Sequence, residues 1–270
     1  MLFRSELANL TVDEIVPAPS AAFQDGSPLV HRDCHTKAAD DTAKRCEDGD
    51  PNSDTTVLIV GDSHIHHWSE AVVTAALERD WHVVSYAKGA CPITTNTVEL
   101  SAEDGGPRPF TECTRWNENV MEEIVAEQAD ILITSTSHHL DEDGTSAADG
   151  MAEAWRQLVD NAGHVVALAD PPHAEQPVAQ CVERNADDIA ACTWDRAEGL
   201  EKSGTPDILA AAEEVPEVEV IDLTDFICPG DTCSPVVGNA LVFTDTNHID
   251  RKSTRLNSSH SGESRMPSSA

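Results

Sequence analysis

Apolar residues in this chain gather into five short runs set apart by longer stretches of mixed character: TVLIV at 56–60, HVVSYA at 82–87, DILITS at 130–135, HVVALA at 164–169 and VEVIDL at 218–223. Runs of this length, rich in Val and Ile, predict buried strands. Between them, 68–79, 118–128, 147–161 and 206–214 carry apolar residues at helical spacing. Strand and helix in alternation predict an α/β domain whose five-stranded parallel sheet is wound on both sides. Ligands of such sheets bind beyond the carboxyl ends of the strands, so chemistry is expected in the residues that follow each run.

Two segments stand outside this pattern. Residues 1–54, with PAPSAAFQDGSP and CEDGDPNSD, are rich in Pro, Asp and Ser and predict an extended linker or collar with little regular structure. Residues 251–270 turn abruptly rich in Ser and Arg, with Glu263 the one acid, and resemble read-through of a cloning or sequencing adapter; they predict a non-native tail. The domain proper is expected over 55–250.

A length of 270 residues with 40% hydrophobic composition suffices for one large core, which rests on Val, Ile, Leu and Ala because aromatic residues make up only 4%. The formal charge of −32 repels phosphate backbones and anionic lipid, which excludes nucleic acid as a partner. It predicts a solvated acidic surface suited to a salty medium.

Eight cysteines stand in sequential pairs: Cys34 with Cys46, Cys91 with Cys113, Cys181 with Cys192, and Cys228 with Cys233. No repeated C-x-x-C and no Cys/His quartet of zinc spacing accompanies them, so they predict structural disulfides. Nearest-neighbour pairing is the expectation, one of about 105 connectivities open to eight cysteines. Disulfides imply maturation outside the cytosol. Yet MLFRSELANLTVDEIV holds no apolar core long enough for a signal peptide, and no stretch approaches the ~20 residues of a membrane helix. The chain is therefore expected to be a fragment, with a membrane portion or export signal upstream of Met1.

The first run leads straight into GDSHIHHW. Ser63 would thus stand at the rim of the sheet, beside the N–H groups of the following helix, where a developing oxyanion is stabilised. A serine hydroxyl needs a base. LVFTDTNHID supplies His248 and, three residues before it, Asp245, which can fix the imidazole tautomer. Taken singly, Gly-Asp-Ser is a common turn and Asp-x-x-His a common helix cap.

Together, GDSH after the first strand and DTNH near the end of the domain resemble the SGNH (GDSL-like) hydrolase superfamily, a flavodoxin-like three-layer sandwich. KGACP, the C-x-x-W at 113–116, ADPP, ICPGDTCSPVVGN and DTNH narrow the likeness to the SGNH domain fused behind acyltransferase-3 membrane proteins, which O-acylate cell-surface polysaccharides. That resemblance implies Ser63 as nucleophile, His248 as base and Asp245 as its orienting acid, with the Ser63 amide and Gly89 forming the oxyanion hole. It implies an acyl donor, a carbohydrate acceptor and an upstream acyltransferase-3 membrane domain that tethers the chain at the outer cell surface. Many relatives also draw an oxyanion donor from an Asn after the third strand. Here that strand runs into TSTSHH, where Ser135, Ser137 or a backbone amide would have to serve.

His64, His66, His67, His138 and His139 cluster near strand ends, but no HExxH or carboxylate-rich frame accompanies them; they are expected to form hydrogen bonds or line the substrate site, and no metal is expected. Asp62 is expected to cap the helix, Asn247 to cap or to touch ligand, and Asp170 to reach the same rim. Of the five tryptophans only Trp116 is a candidate for stacking on a sugar. With no Gly-x-Gly-x-x-Gly after a strand and no P-loop, no nucleotide or redox cofactor is implied. An O-acyltransferase is the leading expectation; a secreted esterase or carbohydrate deacetylase with the same triad and a noncatalytic glycan-binding module are its rivals.

Overall fold

The computed structural model of the chain describes residues 12–24, 32–102, 104–250 and 253. The tail expected at 251–270 lies outside these residues except for Ser253, as do parts of the segment 1–54.

The five apolar runs form five parallel strands: β3 (Thr56–Gly61), β4 (His82–Lys88), β5 (Ile131–Ser135), β6 (His164–Leu168) and β7 (Glu219–Ile221). They lie in the order β4-β3-β5-β6-β7. The direction of winding therefore reverses at β3, between β4 and β5, and opens a crevice beyond their carboxyl ends. Successive residues of a strand face opposite sides. Val57 and Ile59 of β3 enter one apolar cluster while Leu58 and Val60 enter the other, and Val166 and Val165 of β6 divide in the same way. The first cluster is covered by α1 (Ser63–Leu77) and α4 (Val178–Arg184); the second by α2 (Thr111–Glu127), α3 (Ala148–Asn161) and α5 (Thr205–Glu214). Burial on both faces is what leaves the first four runs without polar alternation.

The structure departs from the pattern-based expectation in three places. Helix α1 begins at Ser63 rather than near 68, because Asp62 caps it by accepting the His64 amide at 2.8 Å, and its polar first turn is buried rather than solvated. Helix α2 likewise begins at Thr111, ahead of 118. The N-terminal segment is more regular than a linker: β1 (His35–Thr36) adds to β4 in parallel, and β2 (Cys46–Asp48) adds to it antiparallel. Fully buried Lys88, at the end of β4, fastens this strap by donating through Nζ to the carbonyls of Lys37, Ala38 and Asp40 at 2.9, 2.8 and 2.5 Å. Four disulfides join the sequential cysteine pairs, and no described cysteine is free.

Gly61 ends β3 at the point where the chain must turn into α1. Its φ is +153°, and a Cβ there would stand 2.6 Å from the Ser135 carbonyl oxygen and 2.9 Å from Ile65 Cγ2. Gly61→Ala is expected to destabilise the fold by about 1–3 kcal/mol, through strain and overpacking. A fall in the urea midpoint at unchanged slope would report it; an unchanged midpoint would refute it.

Candidate active site

At the reversal point β3 delivers Gly61, Asp62 and Ser63, and β5 delivers 136–139. Asp62 binds the two strand ends together. It is fully buried; one carboxylate oxygen accepts the His64 amide, and the other accepts Thr136 Oγ1 at 2.9 Å, the Ser137 amide at 2.8 Å and His139 Nε2 at 2.9 Å. Burial would raise its pKa, but the hydrogen bond from His139 and the charge on His64 hold it well below the usual carboxylate range. The expected cap is thus also a tie across the sheet.

Ser63 Oγ lies 2.9 Å from His248 Nε2, across 185 positions of sequence. His248 Nδ1 lies 2.7 Å from Asp245 Oδ2, and Asp245 Oδ1 accepts the amides of Asn247 at 3.0 Å and His248 at 2.8 Å. Burial opposes the charge on Asp245, but these bonds, that from His248 foremost, lower its pKa well below the ordinary range. With its Nδ1–H donated to Asp245, His248 has Nε2 available to accept the serine proton. The turn that holds both residues is pinned by Thr244, whose amide donates to the His248 carbonyl at 2.9 Å, and by the ladder contact between Phe243 and Ile249.

These groups open onto a cavity of about 950 Å³, lined also by His35, Gly89, Ala90, Glu99, Asp104, His138 and Asn247, with no lysine or arginine among its lining residues. Gly89 reaches the wall, but its amide donates to the Thr36 carbonyl at 2.9 Å and so is not free for an oxyanion. Ser135 is buried and away from the cavity lining, and the Ser137 amide is engaged by Asp62. The amide of Ser63, first in α1, has no intrahelical partner. That of Ala90, a left-handed residue with φ 56°, donates to no acceptor among the described residues. Trp116 is fully buried, a core residue and not a sugar platform.

Around this centre the histidines divide by environment. Burial lowers the pKa of His66 well below its ordinary value, and burial with the neighbouring His248 lowers that of His67 to about 3, leaving a neutral ring whose Nδ1 donates to the Ile249 carbonyl at 2.7 Å. His138 instead bonds Asp207 Oδ2 at 2.7 Å, and this carboxylate raises its pKa. His64 lies against Asp170, Nδ1 to Oδ1 at 2.5 Å; the other Asp170 oxygen accepts His173 Nε2 at 2.7 Å and the Gly204 amide at 2.8 Å. His173 and Asp207 gave no sequence signal, since they act on the site from loops and a helix far along the chain. His64, Asp170 and His173 bring metal-ligand atoms within 4.8 Å of one another. Both Asp170 oxygens, however, already accept imidazole N–H groups at hydrogen-bond length, which accounts for the cluster with protons alone.

Burial disfavours a charged His64, yet Asp170 raises its pKa from 6.5 to about 9. A folded value above the unfolded one makes the pair's contribution to stability full below about pH 6.5 and lost as pH rises through about 9. The unfolding midpoints of wild type and His64→Gln should therefore lie farthest apart below pH 6.5 and converge above pH 9, as read by thermal melts across that range. A constant gap would contradict the assignment.

Residues 33–257 match the family described as SGNH domain (fused to AT3 domains). No curated protein matches the chain. Among solved structures, the periplasmic domain of a lipopolysaccharide acetyltransferase from Salmonella ser. Paratyphi A has the same fold, with TM-score 0.60 and 15% identity over 92% of this chain and 95% of that one. The sequence match spans most of the chain, including Ser63, Asp245 and His248, and the chain belongs to the family of SGNH domains fused to AT3 domains.

Proposed function

We propose that the protein is an extracytoplasmic O-acyltransferase in which Ser63, His248 and Asp245 pass an acyl group, most simply acetyl, to a hydroxyl of a cell-surface carbohydrate. The observation that carries this reading is the 2.9 Å contact between Ser63 Oγ and His248 Nε2, backed by Asp245 at 2.7 Å, on the wall of an open cavity. The Salmonella acetyltransferase domain and the family description support acyl transfer over other serine chemistry.

In the first half-reaction Ser63 Oγ attacks the acyl carbonyl carbon as its proton passes to His248 Nε2. The carbonyl oxygen becomes an oxyanion facing the Ser63 amide. Collapse breaks the bond to the donor's leaving atom, which takes the proton from His248. In the second half-reaction His248 removes the proton of the acceptor hydroxyl, whose oxygen attacks the acyl-serine; the ester bond to Ser63 breaks and His248 returns that proton to Ser63 Oγ. A cavity of about 950 Å³ without lysine or arginine suits sugar hydroxyls better than a polyphosphate.

An upstream AT3 membrane domain would supply the acyl group and hold the chain at the outer face of the membrane. No helix among the described residues is long and apolar enough to cross a membrane. The disulfides fit an oxidising compartment.

Ser63→Ala is expected to abolish labelling by a fluorophosphonate probe and the burst of an activated acetyl ester; full turnover in this variant would refute the assignment. Asp245→Asn should lower turnover on the order of 10⁴-fold while leaving the fold intact, the scale on which such triads respond to a wrong tautomer. With acetyl ester and a graded series of glycans, acylated sugar is the expected product. Free acetate alone at every glycan concentration would establish the esterase instead, and glycan binding by a chain that the probe never labels would establish a binding module.

A further inference from the structure

The triad leaves one buried charge network unused. His64 follows Ser63 in α1, is 4% exposed and reaches the wall of the same cavity. Its ring lies 5.2 Å from that of His248 and 5.5 Å from that of His173, centroid to centroid. Nδ1 is held by Asp170, itself fully buried and anchored by His173 Nε2 and the Gly204 amide. An ionised carboxylate at zero exposure needs a compensating cation. No lysine or arginine bonds Asp170 among the described residues, so the compensating charge falls to His64. On the far side of the ring, Nε2 of His64 has no hydrogen-bond partner among the described residues. Meanwhile the amides of Gly89 and Ser137 are already engaged by Thr36 and Asp62.

Resting on the proposed role of Ser63, we propose that His64 is a further catalytic residue: held as an imidazolium by Asp170, it donates Nε2–H to the oxyanion that forms when Ser63 attacks the acyl carbonyl. His64 keeps its proton throughout, since the serine proton travels to His248. Asp170 and His173 are positioning residues that act through His64. Asp170, His173 and Asp62 face His64 from the strand ends and loops, Asp245 and His248 from the C-terminal turn, and His67 from its own helix. Asp170 dominates the attraction and keeps the ring charged to about pH 9.

The test measures acylation by the burst of an activated acetyl ester, together with inhibition by a small alkylboronic acid, whose anionic tetrahedral adduct on Ser63 mimics the charged state. His64→Ala should slow acylation by about 10²–10³-fold and weaken boronate inhibition by a similar factor, with the ester KM little changed. His64→Gln, which restores an N–H without the charge, should recover part of the rate. Asp170→Asn should move the alkaline fall in acylation rate to lower pH than in the wild type. Thermal melts and circular dichroism establish that each variant is folded, and rates are expressed per folded, probe-titrated site. An unchanged burst and unchanged boronate inhibition in folded His64→Ala would overturn the proposal. So would a loss that Gln does not relieve together with an alkaline limb that Asp170→Asn leaves in place, for that is the signature of a purely structural histidine. Absence of a wild-type burst would instead refute the role of Ser63 itself.

Discussion

A single buried carboxylate holds the site open for chemistry. Asp62 sits where the sheet reverses its winding, and its four accepted hydrogen bonds join the first turn of α1 to the segment leaving β5. An ionised group at zero exposure is tolerable only when its lone pairs are filled and its charge is opposed, and here three backbone or hydroxyl donors and one imidazole meet that demand. The orientation of Ser63 follows, because its helix cannot rotate without stripping a partner from Asp62. The site is thus organised from behind by the residue preceding Ser63, while His248 arrives from the turn that follows Phe243.

The cavity wall is a layered arrangement of acid and imidazole. Asp245 orients His248, Asp170 charges His64, and Asp207 raises the pKa of His138, so three carboxylates of different burial each act on one ring. Neutral His66 and His67 pack beside them, the His67 ring 4.7 Å from that of His248 and 5.9 Å from that of His66. In a chain of net charge −32, this is how cationic character is delivered to a cavity without lysine or arginine. Asp62 and Asp245 remain ionised because their hydrogen bonds outweigh their burial.

Much of this was legible in the sequence. Strands covered on both faces leave bare apolar runs, so β3 to β6 announce themselves, and the sequential cysteine pairs announce the disulfides. Ser63, Asp245 and His248 were found because each follows such a run or stands in a short motif. The start of α1 was hidden for a physical reason: its first turn is polar, with His64 and His66 buried, so hydropathy has no period there. Gly89 entered through the family resemblance alone, and the bond of its amide to Thr36, on an edge strand, is one that no local pattern reveals. Asp207 was invisible because its partner His138 lies 69 positions away, and His173 because its neighbour Asp170 gains meaning only when the fold brings His64 to it across 106 positions. Trp116 carried no mark to tell a core ring from an exposed one.

The strap laid along β4 bears on how these molecules behave in a crowd. Without it, the strand would offer outward a row of unpaired amides and carbonyls on which a second polypeptide could grow. β1 and β2 occupy that row, and what they turn outward is brief, broken between Thr36 and Cys46, and acidic at Glu47 and Asp48. Such a border gives a neighbouring copy no continuous template, which guards a densely packed population of these molecules against strand-mediated clumping.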